Sequence, residues 1–142
     1  NLMFHSGSVK PVIAKIERRA AVNNADEIIK EADAIMIARG DLANEVPLGE
    51  IPFIEKMILS KCKKAGKPVI VATQMMASMV NNPSPTRAEA TDIAFAIVGG
   101  ADAVMLSEET AIGKYPVETI ASMERGIIIA EKHLGKARFN RL

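Results

Sequence analysis

Cysteine is nearly missing from this chain, tryptophan is missing altogether and tyrosine occurs once. Cys62, the sole cysteine, has no partner for an intramolecular disulfide, so the chain reads as the product of a reducing compartment, with the cytoplasm as the default. An excess of one charge is missing too. The 18 Lys and Arg against 17 Asp and Glu leave a net +1, with no basic stripe, aromatic-interleaved patch or long single-sign block. No nucleic acid is therefore expected as a partner, and no charged interaction tail. No apolar run approaches the roughly 20 residues needed to span a bilayer, so no membrane partner is expected either. The opening stretch NLMFHSGSVK lacks the charged flank, long apolar core and small-residue cleavage site of a secretory signal, and Asn1 in place of Met is what either a cut from something longer or the processing of a complete product would leave. His5 and His133 lie near opposite ends with no ligand spacing, so no histidine metal site or histidine base is expected. GKYP at 113–116 is too short for a phosphate-binding loop.

What is present is ordinary in bulk and informative in order. At 142 residues, 49% hydrophobic and 25% charged, the chain is long enough to bury a core without disulfides or a structural metal, and one compact domain is expected. Short apolar runs recur: VIAKI at 12–16, AIMIA at 34–38, VIVA at 69–72 and AVML at 103–106. Their near-continuous apolarity predicts strands of a parallel sheet covered on both faces. Between them lie helix signals. Residues 24–31 form a short amphipathic piece. The stretch from Glu50 has Pro52 in its first turn, Phe53, Ile54, Met57 and Ile58 at helical spacing, and Gly66 as its stop. Thr86 with Glu89 three places on is a capping box for a helix that closes on Gly99 and Gly100, and a last helix is predicted from Pro116 to about Lys132. Met36 and Met105, inside strands, read as core packing, and Cys62 as a plain helix residue.

The result is an α/β fold of parallel βα units. A closed (β/α)8 barrel takes about 250 residues, so four strands in this length make either an open doubly wound sheet or half of a TIM barrel.

Polar residues collect at the carboxyl ends of all four strands, the edge where parallel α/β folds build active sites. They are Lys15 and Glu17, then Arg39 and Asp41, then Thr73 and Gln74, then Ser107, Glu108, Glu109 and Thr110. Lys15 and Glu17 are two apart and share a face, either as a buried ion pair or as site residues. Glu17 and Asp41, on neighbouring strands, can supply two carboxylates to Mg²⁺, which leaves its remaining positions to water and phosphate. Gly40 allows close approach of the backbone to a ligand, and the amides of the turn after it would suit an anion. Arg39-Gly40-Asp41 as an adhesion tripeptide is a three-residue match behind a buried strand and carries no weight.

AKIE, ARGDL, GKPVIVATQM, NPSPTRAE and GADAVMLSEETAIGKYP, in this order and spacing, resemble pyruvate kinase from about Lys10 to Lys132. The resemblance implies the second half of that family's catalytic barrel, strands five to eight, with residues 1–142 as the C-terminal half-barrel. It implies Mg²⁺-dependent phosphoryl transfer from phosphoenolpyruvate to ADP, giving pyruvate and ATP, the last step of glycolysis. Carried over residue by residue, Lys15 would stabilise charge on the phosphoryl group. Glu17 and Asp41 would hold Mg²⁺, with Mn²⁺ as an alternative. Arg39, Gly40, Asp41 and Thr73 would bind substrate, and Ser107 would belong to the route that protonates the enolate.

The sequence departs from the family pattern at Glu108 (usually Gly), Glu55 (Gln), Ala77 (Glu), Phe95 (Asn) and Gly99 (Asp). The family's first four strands, lid domain, K⁺ site, nucleotide-gripping arginines and C-terminal regulatory domain have no counterpart in it. Little or no turnover is therefore expected from the chain alone, and association with itself or with a companion barrel half. The rival readings are another phosphoenolpyruvate- or oxaloacetate-type enolate barrel, and a non-catalytic truncated association module.

Overall fold

The four apolar runs form one parallel sheet in the computed structural model, which describes residues 10–135. Its strands are β1 (Ile13–Ile16), β2 (Ala34–Ala38), β3 (Val69–Ala72) and β4 (Ala103–Met105), in spatial order β1-β2-β3-β4. Lys15 stands opposite Met36, Met36 opposite Ile70, and Ile70 opposite Ala103, so one register runs across the sheet. Two aspartates pin it at the amino ends. Asp33 accepts a hydrogen bond from the Val12 amide at 2.7 Å, and Asp102 accepts one from the Val69 amide at 3.0 Å.

The connections are helical because each carries its own start and stop. Helices α1 (Arg19–Asn23) and α2 (Ala25–Glu31) follow β1, and the single turn α3 (Arg39–Leu42) follows β2 directly. Next comes α4 (Ile51–Ala65), with Pro52 in its first turn, where a missing N–H costs nothing. It ends at Gly66, φ +64°, whose amide and that of Lys67 return to the carbonyls of Lys63 and Cys62. Helix α5 (Arg87–Gly99) opens on the expected capping box, with Glu89 N–H donating to Thr86 Oγ1 at 3.2 Å and Thr86 N–H donating to Glu89 Oε2 at 2.7 Å. The single turn α6 (Glu108–Ala111) and the long α7 (Pro116–His133) complete the described elements. None of the described helices is long and apolar enough to cross a membrane.

The sheet is fully covered on one face and only partly on the other, where Ala38 and Ala72 at the carboxyl ends are buried but the residues nearer the amino ends are not, which corrects the expectation of two covered faces. Ile16, Ile35, Ile37, Val69 and Val71 are buried and belong to the core with Ile29, Ile58, Leu59, Ile93 and Met123 from the helices. The alternate residues face the other way: Lys15 and Ala103 are exposed, Ile13 is 52% exposed, and Met36, Ile70 and Met105 are half-buried. Met36 and Met105 are therefore not core residues; Met75, Met76 and Met79, just beyond β3, are. Among the described residues β1 pairs only with β2 and β4 only with β3, so both lateral edges are open. A parallel sheet alternating with helices, with one face packed and the other partly open, is the partial TIM-type barrel expected of this sequence.

Candidate active site at the carboxyl ends of the strands

Every strand delivers its polar residues to the same rim, because all four are parallel and in register. Lys15, the penultimate residue of β1, extends its ammonium to Glu17 Oε2 at 2.5 Å and Asp41 Oδ2 at 3.1 Å. The sequence left open a buried Lys–Glu pair here. The side chains are instead 47%, 31% and 56% exposed for Lys15, Glu17 and Asp41, so this is an accessible charged group at the mouth of the sheet. Glu17 Oε2 is itself closed to solvent and receives no hydrogen bond beyond that ion pair. The bonds to Glu17 and then Asp41 hold the Lys15 pKa above its ordinary value, and the Lys15 ammonium draws the Asp41 carboxyl below its own. Two carboxylates thus share one cation, with charge +1 between two groups of −1. Among the described residues no three or more His, Cys, Asp or Glu gather around a possible metal position.

The neighbouring residues enclose a cavity of about 230 Å³ lined by Gly40, Asp41, Thr73, Gln74, Ser107 and Glu109, among others. Thr73 Oγ1 accepts a hydrogen bond from the Gly40 amide at 2.8 Å, so that amide is engaged within the protein. A Cβ on residue 40 would lie 3.2 Å from that oxygen, which is the reason glycine suits the position. Glu109 is buried and ties two turns together, accepting from the Met76 amide at 3.1 Å and the Ser107 amide at 2.8 Å. It fixes the backbone that carries Ser107.

Arg39 goes elsewhere. The sequence placed it at the substrate rim with Gly40 and Asp41, but its side chain is 7% exposed and turned toward α4 and α5. There it donates to Asp92 at 2.8 Å and to Glu55 at 3.2 Å. The first turn of α3 begins at Arg39 itself, so positions 39 and 41 leave the strand in different directions. Burial raises the Glu55 carboxyl pKa, with Arg39 pulling the other way. Reading polar residues at strand ends picks out Glu109 without its role and cannot find Glu55 or Asp92. Their partner is 16 and 53 residues away, and no local spacing encodes that. His5 lies outside the described residues.

Comparison with known proteins gives one answer. The family model for the pyruvate kinase barrel domain matches residues 2–120. The pyruvate kinase of Geobacillus stearothermophilus is 54% identical over 123 residues, covering 87% of this chain and 21% of the relative. That of Thermococcus litoralis is 53% identical over 131 residues, 92% of this chain and 28% of the relative. That of Sporosarcina psychrophila is 52% identical over 127 residues, 89% and 22%. The chain spans between a fifth and three tenths of the length of these curated relatives.

Proposed function

The chain belongs to the pyruvate kinase family, and from that premise we propose that it supplies the C-terminal half of a catalytic barrel, strands five to eight. That barrel would transfer a phosphoryl group from phosphoenolpyruvate to ADP in the cytoplasm. The observation that carries the reading is the Lys15 ammonium set between Glu17 and Asp41 beside the Gly40–Thr73 contact. Phosphoryl transfer passes through a loose transition state, so the protein's task is to position the groups and supply positive charge where oxygen charge develops. Lys15 is a fixed, protonated cation at the rim and suits that task.

Glu17 and Asp41 fit a divalent cation, Mg²⁺ or Mn²⁺. Their oxygens already converge on one positive charge, Glu17 Oε2 receives no hydrogen bond, and Mg²⁺ asks for only one or two carboxylates. When bound, the ion would neutralise charge on the phosphoryl and carboxylate oxygens of the substrate. Thr73 would orient phosphoenolpyruvate through its hydroxyl. Gly40 and Asp41 would border the substrate carboxylate, and Ser107 would hold the proton route to the enolate carbon. Arg39 has no direct substrate role in this reading. None of the residues assigned here grips the nucleotide.

Mn²⁺ titration of the chain, followed by water-proton relaxation, tests the assignment. Glu17→Gln and Asp41→Asn should each weaken Mn²⁺ binding about tenfold or more, while Lys15→Met should leave Mn²⁺ bound and abolish its enhancement of phosphoenolpyruvate binding. Unchanged Mn²⁺ affinity in both carboxylate variants would overturn the metal assignment. A coupled pyruvate assay on the unmodified chain should give little or no turnover.

A further inference from the structure

Thr73 and Gln74 both have positive φ, +67° and +55°. The left-handed region is uncommon for any residue with a Cβ and an outlier for a β-branched one, and each such residue is strained unless its surroundings hold it. Two in succession, immediately after β3, need a restraint.

The structure contains one. Arg39 Nη2 donates to the Thr73 carbonyl at 3.1 Å and to the Gln74 carbonyl at 3.3 Å, and it approaches Met75 Sδ at 2.8 Å. The same guanidinium is braced by Asp92 through both carboxylate oxygens, at 2.8 Å from Nη1 and 2.7 Å from Nη2, and by Glu55 through Nη1 at 3.2 Å, so the two Nη2 hydrogens are shared between Asp92 and the carbonyls of the turn while Nε also reaches the Thr73 carbonyl at 3.4 Å. The adjacent residue, Gly40, holds the hydroxyl of the same threonine. Two consecutive residues of α3 therefore grip Thr73 from two sides, Arg39 at its carbonyl and Gly40 at its side chain.

We propose that Arg39 is a positioning residue: braced by Glu55 and Asp92, its guanidinium clamps the left-handed Thr73–Gln74 turn and so aims the Thr73 hydroxyl into the site. The carbonyl bonds cannot be made by a compact ammonium that must also satisfy two carboxylates. A planar fork reaches both groups of partners at once. The clamp connects α4 and α5, through Glu55 and Asp92, to the turn that carries Thr73. Its consequence for ligand affinity rests on the reading of Thr73 as a phosphoenolpyruvate contact. The clamp itself does not.

The test compares the ¹³C,¹⁵N-labelled chain with its Arg39→Lys variant. Lysine keeps the buried positive charge for Glu55 and Asp92, so a role in charge compensation alone leaves the turn unmoved. A clamp predicts that the Cα and Cβ shifts of Thr73 and Gln74 lose their left-handed signature while those of β2 and β4 stay in place. It also predicts that phosphoenolpyruvate, added with Mn²⁺, binds about tenfold more weakly, with Mn²⁺ affinity within about twofold of the parent. Retention of both left-handed signatures in Arg39→Lys overturns the proposal. Should that variant fail to fold, Asp92→Asn removes the two-oxygen brace and leaves Arg39 in place. Exchange-averaged Thr73 and Gln74 signals then support the clamp, and unchanged ones overturn it. A parent chain that binds no phosphoenolpyruvate counts against the proposed function, while the backbone shifts still decide the clamp.

Discussion

The thiol of Cys62 offers a direct reading of whether the core of this open sheet is closed. It sits on α4 with no exposed surface, and burial first, then the Asp102 charge, pushes its pKa up to about 11. At about pH 8 an unperturbed thiol with a pKa near 8.5 is roughly one-quarter thiolate, whereas one at about 11 is roughly one-thousandth, a difference of about 200-fold. Steric exclusion of the reagent slows direct attack further, which leaves transient opening of α4, where the thiol regains its ordinary pKa and the slowing is set by how rarely the helix opens. Mixing the chain with an aromatic disulfide and following thiolate release should show labelling at least about 200-fold slower than in denaturant at the same pH. The pH profile separates the routes. Labelling through opening follows the ordinary thiol pKa, and direct attack keeps rising tenfold per pH unit toward about 11. A native rate within about tenfold of the denatured one would refute the reasoning, since Cys62 then could not be buried in the core cluster to which it belongs.

Two further outcomes follow from the same structure. Glu89 accepts hydrogen bonds from the amide and hydroxyl of Ser78 and of Thr86, and although burial opposes ionisation these bonds hold its pKa below the ordinary 4.5. A carboxyl lowered by folding stabilises the native state above its unfolded pKa, and that contribution fades as pH falls through the folded value. Urea unfolding of Glu89→Gln should therefore show a loss of about 1 kcal/mol at neutral pH that disappears in acid, and a pH-independent loss would overturn the assignment. The inner sheet face, with Ile13 exposed and Met36, Ile70 and Met105 half-buried, should bring the isolated chain together with itself or with a companion half-barrel. Sedimentation velocity should show concentration-dependent association, and a strictly monomeric chain across the micromolar range would contradict this.

The strands were legible because four apolar runs separated by capped helical segments admit few arrangements, and Thr86 with Glu89 or Gly66 after the lysines of α4 are local signals with local causes. α3 and α6 were not legible. A single turn holds no periodicity, so Arg39-Gly40-Asp41 reads as a loop at a rim. That omission misdirected Arg39, because one helical turn sends position 39 to Asp92 and leaves position 41 with Lys15. The expectation of two covered faces failed for a related reason. Apolarity along a strand records what its faces are built to meet, and Met36 and Ile70 are apolar on a face that the described chain covers only in part.

The strand order β1-β2-β3-β4 has a consequence for how this protein is made. Each strand lies beside the one synthesised just before it, so no part of the sheet must wait for a segment still inside the ribosome. The structure can lengthen one βα unit at a time in the direction of translation, with every new unit docking on the edge its predecessor left.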